Sequence, residues 1–187
     1  MALRAQLETL VNESNEIRAK AERLKKLKPT QLGWTPSSDR WSIARILDHL
    51  NKTHALTIPK FEAALASAAE AGDEHGQEIK PGFKDRVFLK IMSPTPPFPL
   101  PVPPMFEPDA TVNTGKIVAQ FLALHDGLIR VMTKSDAHRL RKLVVTSPVS
   151  ARVKVNFLTY LQANLQHEQY HFTQIESLLT DPSFPKS

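Results

Sequence analysis

At 187 residues, with a formal net charge of +5 and no cysteine, the chain has the length of one domain and can bury about 70% of the surface its unfolded form exposes. The lack of cysteine excludes disulfides, thiolate metal ligands and a cysteine nucleophile, and it fits a reducing cytoplasm. The positive charge gathers in "KAERLKKLK", residues 20–28, where cations suit a helix C-terminus; with no aromatics between them, no nucleic-acid partner is expected.

The first element is a helix. Leu3, Leu7, Leu10, Ser14, Ile17, Ala21 and Leu24 recur at steps of four and three, one face of an amphipathic helix. It should stop near Lys28-Pro29, since the residue before a proline disfavours helix. The N-terminal stretch has no apolar signal-peptide core, so a cytoplasmic protein is expected. A second helix begins at Ser42, a good N-cap, and carries Ile43, Ile46, Leu47 and Leu50 on one stripe. Pro59 lies inside that pattern and Gly72 supplies a stop.

Residues 73–111 form a long insert between helices 2 and 3. Eight prolines fall between Pro94 and Pro108, so the stretch is read as neither helix nor central strand. The longest uncharged run, residues 91–106, holds seven prolines in 16 residues; that is too short and too proline-rich to cross a membrane. Phe88, Ile91, Phe98, Val102, Met105 and Phe106 favour packing against the domain as a cover.

Helix resumes with Ile117, Phe121, Leu124, Leu128 and Val131 on one face. "LVVT", within 143–146, is the one strand-like run, and one run makes no sheet. The last helix is expected to start at Pro148 or Ser150. Val153, Phe157, Tyr160, Asn164, His167, His171, Ile175 and Leu178 form one row of it, and Leu158, Leu161, Leu165, Phe172 and Leu179 a neighbouring row. The expected fold is all-α: an antiparallel four-helix bundle, one domain over residues 1–187.

His167 and His171 share the inward row, four apart. Side chains at that spacing lie on one helix face about 6 Å apart, which suits two imidazoles on one divalent ion. The plain alternative is a pair of core histidines, but burying two unmetallated imidazoles demands several partners, at about 1–3 kcal/mol for each group left unpaired. A two-ligand site needs a third. His75 and His138 lie in polar stretches, and His54 and His125 lie off the main apolar rows. His49, between Ile46 and Leu50 at the edge of an inward face, is the better candidate.

The same stretch spells H-E-x-x-H, the zinc-protease signature, with Glu168 as its base. A third ligand would have to follow, and only Glu176 and Asp181 do, too close for a second element to bring back. The protease reading is therefore disfavoured. Glu168 is read as a partly exposed helix residue or a partner orienting a ligand imidazole.

"GWTPSSDRWSIARILDHL" followed by "LQHEQYHFTQIESL" resembles the DinB-like (YfiT/DinB) superfamily. Trp41-Ser42, His49, His167, His171 and Gln174-Ile175 carry the resemblance; Arg45 departs from it where many members have glutamate. The resemblance implies a four-helix bundle with a long crossover and a metal held by His49, His167 and His171. It implies a small-molecule substrate, with thiol S-transfer using a low-molecular-weight thiol such as bacillithiol or mycothiol, or metal-dependent hydrolysis, as the chemistry. It also implies a homodimer, for which the apolar stripe of helix 1 or the insert could serve. Asn164 and Tyr160, one and two turns before His167, would line the pocket as catalytic candidates, and Trp41 is read as core filler. Nitrogen ligands suit zinc, nickel or iron, and ordinary imidazoles should release the ion below about pH 6. A non-catalytic, stress-related metal-binding module, with the insert over the site, is the alternative from another class.

Overall fold

All seven residues of the first row are buried along α1 (Leu3–Leu24). A computed structural model describes residues 2–69, 78–93, 95, 101–136 and 138–186. A single turn, α2 (Pro29–Leu32), follows with proline in its first turn, where a missing N–H costs nothing. Ser42 caps α3 (Ile43–Ala66), its hydroxyl accepting from the Arg45 N–H at 3.3 Å. The helix runs through Pro59. The stop expected at Gly72, and His75 and Phe98, lie outside the described residues.

The insert is partly helical, against expectation. Residues 83–91, "FKDRVFLKI", lie in the proline-free stretch between Pro81 and Pro94 and form α4 (Phe83–Ile91), whose first turn is closed by the Gly82 N–H donating to Asp85 Oδ2. A 3₁₀ turn spans Pro104–Phe106. After α5 (Ile117–Ser135) comes a second departure: β1 (Val144–Thr146) pairs antiparallel with β2 (Lys154–Asn156), Val145 opposite Val155. The "LVVT" run thus has a partner, found in "KVN", and Val153, expected on the last helix, is exposed outside it. The last helix, α6 (Phe157–Leu179), starts later than Pro148 or Ser150 because Asn156 is its cap. Asn156 Oδ1 accepts from the N–H groups of Leu158 and Thr159, and Nδ2 donates to the carbonyls of Leu140 and Leu143.

The four long helices make the bundle. α1 packs on α5 and α6, and α3 packs on the same two. Cross-links give the directions. Arg4 meets Asp136 and Arg18 meets Asp126, so α1 and α5 are antiparallel. Glu13 meets Gln169 and Lys20 meets Glu176, so α1 and α6 run together. His49 meets His167 and Phe61 meets Phe157, so α3 opposes α6. Each helix therefore has one antiparallel neighbour and one parallel one. The parallel pairs demand long connections, which the insert provides between α3 and α5. Phe61, Phe121, Phe157 and Phe172 fill the interior. Among the described residues no helix is long and apolar enough to cross a membrane.

The insert's far end is fastened to α3. Lys52 Nζ donates to the Glu107 carbonyl and pairs with Asp109, and the Asp109 N–H donates to Asp48. Phe106 is thereby held over His49.

Candidate metal centre

His49 from α3 and His167 and His171 from α6 converge. His167 Nε2 lies 3.2 Å from His49 Nε2 and 3.0 Å from His171 Nε2. The outer nitrogens of two rings are tied: His49 Nδ1 donates to the Phe106 carbonyl at 2.7 Å, and His171 Nδ1 to Gln174 Oε1 at 2.8 Å. A carbonyl oxygen can only accept, so each of those rings carries its proton on Nδ1 and turns a bare Nε2 lone pair inward. His167 can supply at most one proton to two lone pairs. One nitrogen pair is left facing another at contact distance, an arrangement that calls for a cation.

A proton does not suit that role. Burial pushes His49 below the ordinary histidine range, with the Phe106 hydrogen bond opposing in part. Burial, then the neighbouring His171 and His49, hold His167 well below it. Burial lowers His171 to about 3. All three rings are kept neutral, the form that ligates metal. Three neutral imidazoles, two of them with fixed tautomers, and no carboxylate fit a divalent ion and leave positions open for water or substrate.

Those positions face a cavity of about 600 Å³ lined by residues of α3, α4, α6, the proline-rich segment and the turn after β1. Asn164 and Tyr160 line it, as expected. Asn164 Nδ2 donates to the Tyr160 carbonyl, and its Oδ1 accepts from Thr57. Burial pushes the Tyr160 phenol up to about 12, against a hydrogen bond with Ser147, so it stays protonated. Trp41 is more than core filler. Half-buried, it stacks on His171 at 6.3 Å between centroids, leans on His49 at 5.3 Å, and walls the cavity.

Glu168 corrects its expectation. It is 1% exposed, not partly exposed, and does not line the cavity. Its Oε1 accepts from His54 Nε2 at 2.7 Å and from His125 Nδ1 at 2.9 Å, and serves none of the three converging imidazoles. His54 and His125, expected off the apolar rows, are buried at the bundle centre. His125 Nε2 faces the Ser14 carbonyl at 2.8 Å, so it must also carry a hydrogen. Burial opposes the charge on His125, but the field and hydrogen bond of Glu168 raise its affinity for a proton. Burial alone would raise the Glu168 carboxyl; the charges and hydrogen bonds of His125 and His54 hold it at about 2. This knot joins α1, α3, α5 and α6 and pairs its own charges, although His54 Nδ1 and Glu168 Oε2 are buried without a partner and the three groups lie close enough together to hold a metal ion. It also removes Glu168 from the role of H-E-x-x-H base, since the carboxylate points away from the cavity.

The comparisons agree with this architecture. A DinB superfamily model matches residues 16–175. YfiT from Bacillus subtilis, described as a probable metal-dependent hydrolase with an unusual four-helix bundle topology, superposes with a TM-score of 0.58 at 15% identity, covering 95% of this chain and 88% of that one. No curated protein matches the chain.

Proposed function

This chain belongs to the DinB superfamily, and from that premise we propose that it is a metal-dependent enzyme. His49, His167 and His171 hold one divalent cation, and a small molecule is hydrolysed in the adjoining cavity. The observation that supports this most is the convergence of His49 Nε2 and His171 Nε2 on His167 Nε2, at 3.2 and 3.0 Å, while two Nδ1 protons are tied to acceptors. When bound, the cation supplies polarisation of a substrate oxygen and acidification of a coordinated water.

The chain's own groups do the rest. The Phe106 carbonyl and Gln174 hold two rings in the ligating tautomer. Trp41 covers two of the imidazoles and keeps bulk water from that side. Asn164 has one amide hydrogen beyond the one given to Tyr160, and it can hold a substrate oxygen in the cavity. The open cavity beside the rings favours turnover over simple metal storage.

The test is turnover of a panel of activated esters, lactones and amides by metal-loaded protein, with and without added thiol. Hydrolysis should vanish with chelator, return with metal, and be lost in His167→Ala that still folds. Turnover that requires the thiol would point to transfer instead of hydrolysis. Hydrolysis that survives chelation and His167→Ala would overturn the proposal.

A further inference from the structure

We infer that the molecule accepted by this cavity has an uncharged, apolar body, aliphatic or aromatic, with its reacting group at the imidazole end. This deepens the proposed function and rests on it for where reaction occurs. The cavity, about 600 Å³, falls in the usual range for a small-molecule site. Away from the histidines its wall is apolar: Phe88, Ile91 and Met92 come from α4 and the residue after it, and Val102 and Phe106 from the proline-rich segment. Val102 and Val149 line it while remaining 37% and 54% exposed, so apolar side chains reach the mouth as well.

Charge is missing where a charged body would need it. Among the described lining residues, apart from the histidines, the titrating or charged side chains are Asp39, Arg40 and the two tyrosines. Asp39 and Arg40 are adjacent, opposite in sign and exposed at the rim. An ionised group taken inside without a partner costs several kcal/mol.

The polar side chains inside are largely committed. Thr53 donates to the His49 carbonyl, Thr57 to the Thr53 carbonyl, and Asn164 to the Tyr160 carbonyl. What remains is the Ser93 hydroxyl, the Gln174 and Asn164 amide nitrogens and the Tyr170 hydroxyl, scattered donors that are few for the many hydroxyls of a sugar. A polyhydroxylated or anionic thiol would lose hydrogen bonds to water and regain few. An apolar body gains by leaving water, at about 25 cal/mol per Å² buried.

A matched pair of fluorophores tests this: neutral phenylnaphthylamine and its sulfonated anionic counterpart, anilinonaphthalene sulfonate. The neutral probe should bind one per chain and more tightly than the anion. Met92→Asp should weaken it by about tenfold or more, the factor that 1.4 kcal/mol represents, and Val102→Asp, at an exposed position, provides the same test with less risk to folding. Bound metal per chain, measured on the same samples, should stay unchanged in both variants. Loss of metal binding in the native protein with the probe preference intact would sink the metal-site reading and leave this inference standing. Tighter binding of the anion, or neutral-probe binding indifferent to both aspartates, would overturn the inference while leaving the metal centre untouched.

Discussion

Two histidine clusters sit a helical turn apart in this bundle, and they use the same chemistry to opposite ends. In one, His49, His167 and His171 turn nitrogen lone pairs toward one another at the edge of a cavity. In the other, His54 and His125 turn N–H groups toward the Glu168 carboxylate at the bundle centre. The first has too few protons for its acceptors and asks for a cation. The second holds its own proton and balances its own charge. The partner atoms of the outer nitrogens decide which is which. Carbonyl oxygens at His49 Nδ1 and His171 Nδ1 expose lone pairs inward, whereas the Ser14 carbonyl at His125 Nε2, together with Glu168 at Nδ1, demands two protons on one ring.

The largest effect expected from breaking this contrast is on the sealed cluster. Glu168→Ala leaves a buried imidazolium without its counter-charge and should cost about 3–5 kcal/mol in urea unfolding; a cost below about 1 kcal/mol would mean the knot is not an ion pair. On the open cluster, Gln174→Ala frees the His171 ring and should weaken metal binding about 10–100-fold by competition with a chelating dye, with the metal-free midpoint little changed. Unaltered affinity there would show that the His171 tautomer is not held by Gln174.

The pH dependence separates the clusters further. The three open imidazoles are depressed below 6.5 in the fold. Between 6.5 and their folded values the unfolded chain binds more protons, so metal-free stability falls as pH drops. Glu168, at about 2 against 4.5, adds a loss as pH falls through that interval. His125, raised above 6.5, works the other way: its contribution is present below 6.5 and is lost as pH rises through its folded value. Burial also moves metal release below the value near pH 6 expected of ordinary imidazoles, because protons compete poorly for these rings. Release already complete near pH 7 in a dialysis series would contradict the neutral, buried triad. The smallest effect is on the metal-free stability of His167→Ala. Removing a half-buried ring whose lone pair crowds two others should change the unfolding midpoint by no more than about 1 kcal/mol, in contrast to Glu168→Ala.

Much of the scaffold can be read from residue spacing. The α1 row is buried in full, and the Ser42 cap stands where its neighbours place it. His49, His167 and His171 were legible because two share a helical row and the third adjoins an aliphatic stripe. The sealed cluster is hidden from that spacing, although the sequence carries a signal of it. Glu168 fills the gap between Leu165 and Phe172 in the second row of α6, and His54 continues Ile58, Phe61 and Leu65 at helical steps. On α5 the core takes His125 where periodicity favoured Leu124. A stripe drawn through apolar residues treats an inward histidine or glutamate as a break, and only the partners on other helices show that Glu168 pairs with His54 and His125 there. The hairpin is hidden for a related reason. Each strand is three residues long, and the second becomes a strand only when it pairs with the first.

Anomalous diffraction at the absorption edge of a divalent metal soaked into crystals of the protein tests the central claim directly. The account predicts one ion per chain, about 2.0–2.1 Å from the Nε2 atoms of His49, His167 and His171, and no anomalous signal among His54, His125 and Glu168. An ion at the sealed cluster, or none at the three imidazoles under saturating metal, would contradict it.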